Sequence, residues 1–303
     1  MQDNAAVTGI LDGDEPAVSV GAHRPAAYGN DDVIMTARDI SMRGLTGRIY
    51  SGVSMRVPRG KVTALCGENN SGKTELLLTL AGRMLTMGGT LVVDGYELPR
   101  QRRKMRREAG LGFFENVNDV QPSLKVNTLV AAELELYGRK SNKRATAAYI
   151  HDWGLDEIAN LRAEVLSAEQ TVLLGIALGM VPNPAILCVD DIETDLTTHQ
   201  GRKLMAYLRR LASERDMTVL VGCTEYEIAR GADAVVLLTS DAAAQRDKVE
   251  SDIVARSISN IAGVRAGSEP PVIVGYSAAA AVGRDDAAHL GIAAVDAEEG
   301  GEA

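Results

Sequence analysis

Val62-Thr63-Ala64-Leu65-Cys66 runs into Gly67-Glu68-Asn69-Asn70-Ser71-Gly72-Lys73-Thr74, and Glu75-Leu76-Leu77-Leu78 follows. The middle segment fits G-x-x-x-x-G-K-[ST] and sits between a strand-like and a helix-like run. That setting matters more than the pattern, because the motif works only where a strand feeds a tight turn into a helix N-terminus. Backbone N–H groups and the helix dipole then converge on phosphate oxygens. The stretch predicts an α/β fold with a site for a nucleoside triphosphate. Lys73 would reach the β/γ-phosphates and the Thr74 hydroxyl would ligate Mg²⁺.

Outward from this loop, apolar runs alternate with helical patterns from Val33 to Leu238, the mark of an α/β sheet. Strands are expected over 33–37, 52–57, 62–66, 89–93, 110–114, 185–189, 218–221 and 234–238. Helices are expected over 74–85, 128–137, 143–153, 168–180 and 198–215. Residues 1–31 are rich in Ala, Gly, Asp and Pro and read as a disordered tail. Residues 241–303 read as a low-complexity extension with one candidate helix over 248–261. The domain between them spans 32–240.

With 303 residues and 46% hydrophobic content, the chain can bury a substantial core. Aromatics make up 4% and the net charge is −9, which argues against base-stacking or polyanion-binding surfaces. Nucleic acid is therefore not an expected partner. Cys66, Cys188 and Cys223 share no metal-ligand spacing and sit in apolar runs. They read as small core residues in a reducing compartment. No stretch approaches the roughly 20 apolar residues that span a bilayer, and the N-terminus lacks the features of a signal peptide. The expected location is the cytoplasm.

A phosphate loop needs a second strand that ends in a carboxylate at the Mg²⁺. Ile186-Leu187-Cys188-Val189-Asp190-Asp191 supplies one, preceded by Leu166-Ser167-Ala168-Glu169-Gln170 and a helical stretch to Pro184. Together with Tyr50–Met55, Gly89–Gly95, Gln121–Val126 and Ala232–Leu238, these segments resemble the ATP-binding cassette family, the nucleotide-binding subunits of ABC transporters. The resemblance covers roughly residues 33–239. It implies a P-loop NTPase of ABC type: a mixed sheet core, a helical subdomain over about 115–168, and ATP and Mg²⁺ as cofactors.

By this resemblance Gly67, Glu68, Asn69, Asn70, Ser71, Gly72, Lys73, Thr74 and Glu75 hold the phosphates, and Asp190 holds the metal with Thr74. Asn70 replaces a usual Gly, and Asn tolerates positive φ. Glu75 replaces a usual hydroxyl residue and would repel the nucleotide. Asp191 takes the position of the catalytic Glu, one methylene short. Glu115 takes that of the Gln that senses Mg²⁺ and the γ-phosphate, as a further possible metal ligand. Thr224 stands for the switch His. Ser167 keeps the signature hydroxyl, which in the family closes over a second protomer's nucleotide, while Ala168 and Glu169 replace two glycines.

The resemblance implies an ATP-binding subunit that couples slow or partner-dependent hydrolysis to a separately encoded membrane permease. It would act as a homo- or heterodimer of cassettes at the inner face of the membrane. The altered Asp191, Glu115 and Thr224 leave a second reading open, a regulatory nucleotide-binding subunit paired with a standard cassette. The run Arg100-Gln101-Arg102-Arg103-Lys104-Met105-Arg106-Arg107 reads either as a solvated helix or as a contact for anionic headgroups or nucleic acid.

Overall fold

The computed structural model describes residues 32–44, 47–238 and 272–274. Both expected tails and the candidate helix over 248–261 lie outside these residues, apart from a short strand at Val272–Val274.

Strands β1 (Val33–Gly44), β2 (Gly47–Pro58), β4 (Gly88–Val93) and β5 (Tyr96–Leu98) form an antiparallel sheet in the order β2-β1-β4-β5. A parallel sheet combines β3 (Val62–Gly67), β6 (Ala109–Leu111), β7 (Ile186–Val189), β8 (Thr218–Cys223), β9 (Ala234–Leu238) and β10 (Val272–Val274), in the order β10-β9-β3-β8-β7-β6. β7 and β8 are buried along their whole length, and β3 from Val62 to Cys66. Parallel strands covered on both faces read as near-continuous apolar runs, which is why these three are visible in the sequence.

β1 and β2 are longer than expected. The polar pair Arg38-Asp39 looks like a strand end, but Asp39 adopts φ 52° and the register shifts between Ala37 and Ile40. Its N–H donates to Ser54 Oγ at 2.9 Å. This is a bulge rather than a stop. Gly89 makes room for it, since a Cβ there would lie 2.3 Å from the Asp39 carbonyl oxygen.

Helix α1 (Lys73–Leu80) is shorter than expected. Gly82 at φ 68° donates to Thr79 O, and Arg83 donates to Leu78 O. This pair of bonds is a Schellman stop. The basic run forms α2 (Arg102–Glu108), which buries Met105 and ends on Arg106 and Arg107, where cations favour the dipole.

Between Glu115 and Ala168 lie α3 (Val126–Leu136), α4 (Lys143–Asp152) and 3₁₀ turns at Asp156–Ile158 and Ala163–Val165. This region packs on α5 (Ala168–Gly179) through Tyr149, whose hydroxyl donates to Ala177 O at 2.6 Å. α6 (Thr198–Arg215) and the unforeseen short helix α7 (Tyr226–Ala229) complete the fold. One core cluster joins the parallel sheet to α3–α6, and a second lies between the two sheets around α1. Among the described residues no helix is long and apolar enough to cross a membrane.

Candidate functional site

The phosphate loop leaves the centre of the parallel sheet at the end of β3. A Cβ on Gly67 would lie 2.4 Å from the Leu238 carbonyl oxygen and 2.7 Å from Ser71 Oγ, so only glycine fits. Asn70 takes φ 65° and Gly72 φ 82°, so the asparagine does adopt the left-handed geometry its position requires. Lys73 is 7% exposed, and its ammonium donates to the carbonyls of Gly67 at 2.6 Å and Glu68 at 2.8 Å. Ser71 is 2% exposed, and its Oγ has no hydrogen-bond partner among the described residues. A buried orphan hydroxyl beside a buried lysine at a helix start fits an anionic ligand, because an unpaired buried polar group costs about 1–3 kcal/mol. Glu75 is half-buried; burial raises the pKa of the Tyr50 hydroxyl to about 12, its bond to Thr79 offsets part of that, and the Glu75 charge adds a smaller push upward.

At the end of β7, Asp190 Oδ2 accepts from Thr74 Oγ1 at 2.5 Å, and its Oδ1 accepts from the Asp191 N–H at 3.1 Å. Burial pushes this carboxyl above its usual range, the Thr74 bond offsets part of that, and the Asp191 charge adds to it. A half-buried carboxylate beside a hydroxyl offers part of the shell of a hard cation, which prefers oxygen ligands. Among the described residues no three His, Cys, Asp or Glu converge on one point, so a metal here would need phosphate or water oxygens as well.

The other expected residues divide. Thr224 does reach the loop, its Oγ1 lying 3.5 Å from Asn69 Oδ1. Asp191 is exposed at φ 45°, and its Oδ2 accepts from Thr194 Oγ1 at 2.5 Å. Glu115 is exposed and has no hydrogen bond or ion pair to Thr74 or Asp190; the turn that carries it is fastened by Asn118, which binds the Phe114 N–H and the Gly112 carbonyl. Ser167 caps α5 in a reciprocal box with Gln170 and has no hydrogen bond to the phosphate loop.

Two residues absent from the sequence reading shape the site. Glu193 accepts the Thr224 N–H, and the Glu225 N–H at 3.2 Å, thereby tying the end of β7 to the segment after β8. The signal was there, a third acid within four residues of Asp190, but its partners lie some thirty positions away. Gly222 is the second: a Cβ there would fall 2.2 Å from Asp190 Oδ1 and 3.1 Å from Leu77 Cδ1. Cys66, Cys188 and Cys223 are free and buried, as the apolar setting predicted, with burial raising the Cys188 thiol to about 12.

A family profile described as ABC transporter matches residues 50–193. The phosphate-import ATP-binding protein PhnC of Mycolicibacterium smegmatis is 30% identical over 214 residues, covering 66% of this chain and 81% of that protein. The methionine import ATP-binding protein MetN of Rhizobium johnstonii is 25% identical over 240 residues, covering 77% of this chain. The chain spans 65%, 60% and 63% of the length of three such methionine-import relatives. Among solved structures, a dimeric bacterial ABC transporter cassette superposes with a TM-score of 0.59 at 21% identity, covering 68% of this chain and 94% of that one. The cbiO1 protein of Clostridium perfringens gives 0.58 at 20% identity, covering 68% and 84%. Those two likenesses concern the fold.

Proposed function

Because the chain belongs to the ABC transporter family, we propose that it is the ATP-binding subunit of a transporter, coupling ATP binding and slow hydrolysis to a separately encoded membrane permease. The observation that carries this reading is the convergence of the buried Lys73 ammonium, the orphan Ser71 hydroxyl and the Thr74–Asp190 pair at one helix start. Gly67–Glu75 would wrap the phosphates. Thr74 and Asp190 would hold Mg²⁺, which supplies charge neutralisation on the β- and γ-oxygens when bound. Ser167, capping α5 away from its own loop, would serve a partner cassette in a homo- or heterodimer. Docked on a permease, the subunit would lie at the inner face of the membrane. A steady-state ATPase assay against Lys73→Ala tests the reading; equal rates, alone and with candidate permeases, would overturn the enzyme.

Slow turnover follows from Asp191, Glu115 and Thr224. Asp191 turns its carboxylate to Thr194, and it is one methylene shorter than the family's base. A misplacement of about 1 Å can cost on the order of 10²-fold in rate. Asp191→Glu is therefore expected to raise turnover by about 10-fold or more, at a stability cost of about 1 kcal/mol for a longer side chain at positive φ. Unchanged turnover would move the limit to Thr224, Glu115 or the signature. The same three residues support a second reading, a regulatory subunit that pairs with a standard cassette and has no turnover of its own.

Gly222 offers an independent check. Gly222→Ala is expected to swing the Asp190 carboxylate off Thr74 and lower Mg²⁺-dependent turnover about 10-fold or more. The intruding methyl meets a side-chain oxygen that can move, so the melting temperature should fall only slightly. Wild-type turnover in a folded Gly222→Ala protein would remove Asp190 from the metal site.

A further inference from the structure

Cys66 is the last residue before Gly67, and a second thiol lies directly beside it. β3 and β8 are neighbours, and their parallel register pairs Cys66 with Cys223. Adjacent strands lie about 4.8 Å apart, inside the Cα separation of roughly 4.4–6.8 Å that a disulfide spans. Paired residues share a face of the sheet, and both side chains belong to the core cluster on the α3–α6 side. Cys188 has no such neighbour: it pairs with Leu220 and belongs to the other cluster, between the two sheets.

The two sulfurs already interact. The Cys223 thiol donates to the Cys66 sulfur, and the Cys66 thiol donates to the Thr224 carbonyl at 3.5 Å. The bond from Cys223 holds the Cys66 thiol below its usual range; burial and the Glu193 charge oppose this, and Lys73 adds to it. Cys223 is held above its usual range by the same bond and then by burial. Thiolate character makes Cys66 the nucleophile, with Cys223 poised to resolve it. Cys66 is also the more accessible of the pair, at 4% exposure against 0%, so a small oxidant meets it first.

We propose that hydrogen peroxide converts Cys66 and Cys223 into a reversible disulfide, and that this bond shuts the phosphate loop. The Cys66 thiolate attacks a peroxide oxygen, the O–O bond breaks, and the hydroxide that leaves takes up the thiol proton as water. The Cys223 sulfur then attacks the Cys66 sulfenic acid. An S–S bond forms, the S–O bond breaks, and a second water leaves with the Cys223 proton. Two thiols lose two electrons in all, and one peroxide becomes two waters. The sulfurs must close to about 2.05 Å, which draws Cys66 off the Thr224 carbonyl and shifts the end of β3. Gly67 has no slack to absorb that shift, hemmed in by the Leu238 carbonyl and Ser71. A transient, sensing disulfide is the kind that suits a reducing compartment. The closure of the loop rests on the nucleotide reading above; the disulfide itself does not.

The test treats the reduced full chain with hydrogen peroxide, alkylates the remaining thiols in denaturant and reads the tryptic peptides by mass. Residues 62–73 are expected joined to residues 216–230 with the loss of two hydrogens, while Cys188 is alkylated. Affinity for a fluorescent ATP analogue should fall about 10-fold or more, the worth of one charged hydrogen bond to phosphate, and return with dithiothreitol. Cys66→Ser keeps a donor for the Thr224 carbonyl; it should bind the analogue as the reduced chain does and ignore peroxide. Cys66→Ala is a second variant should the serine not fold. Unlinked Cys66 and Cys223 after peroxide, linkage to Cys188 instead, or a linked chain with unchanged affinity overturns the proposal. So does a Cys66→Ser chain that peroxide still silences. Should the reduced wild-type chain not bind the analogue, the proposed function fails and the switch with it. The peptide masses tell that failure from a failure of the thiols to pair.

Discussion

Lys73→Ala is expected to weaken ATP binding about 10²-fold and to reduce ATPase activity to background. The ammonium is almost fully buried, and among the described residues only two backbone carbonyls hold it, those of Gly67 and Glu68. Hydrogen bonds to charged groups contribute about 1.5–3 kcal/mol each, and 1.4 kcal/mol is a factor of ten in affinity. Phosphate oxygens can take over those contacts, whereas alanine offers none. Fluorescence titration with a labelled ATP analogue, alongside a thermal melt to check the fold, measures the effect. Equal affinity in a folded variant would remove Lys73 from the site and with it the main support for the proposed function.

Asp190→Asn should have two opposite effects. Mg²⁺-dependent turnover is expected to fall by at least about 10²-fold, since metal stabilisation of developing charge contributes several kcal/mol. The ligand-free fold should gain stability at neutral pH. Burial raises the Asp190 pKa in the folded chain, so the native state binds this proton more tightly than the unfolded one. Native stability therefore falls as pH climbs from the unfolded pKa through the folded one. Asparagine carries no charge and escapes that loss, although its amide can replace only one of the two acceptors that Thr74 and Asp191 now use. A gain of about 1 kcal/mol would appear as roughly 2–4 °C at pH 7 and vanish near pH 3. A lower melting temperature at pH 7 would show that the lost acceptor outweighs the buried charge.

The phosphate loop, the strand that ends in Asp190 and the signature segment were all legible because each is a contiguous run. Their chemistry depends on residues within a few positions of one another. Strand ends were less legible. The bulge at Asp39 hides a continuing strand behind two polar residues, and the three-residue strands β5 and β10 are too short for a period to register. β10 falls within the stretch expected to be a low-complexity extension, yet it pairs in parallel with β9 from Val235 to Leu237. Glu193 and Gly222 escaped notice because their roles depend on atoms from distant strands.

What the sequence determined by itself was the family, the buried strands of the parallel sheet and the place of the phosphate loop between strand and helix, since a strand–loop–helix carries its own backbone donors. What only the tertiary structure decided was which side chains meet. It put Thr224 against Asn69, turned Asp191 toward Thr194, and fastened Glu193 to the Thr224 and Glu225 amides. It also set Cys66 beside Cys223 on neighbouring strands. The physical reason is range. A backbone turn is specified by its neighbours in sequence, while a charge's environment is specified by whatever packing brings within a few ångströms of it.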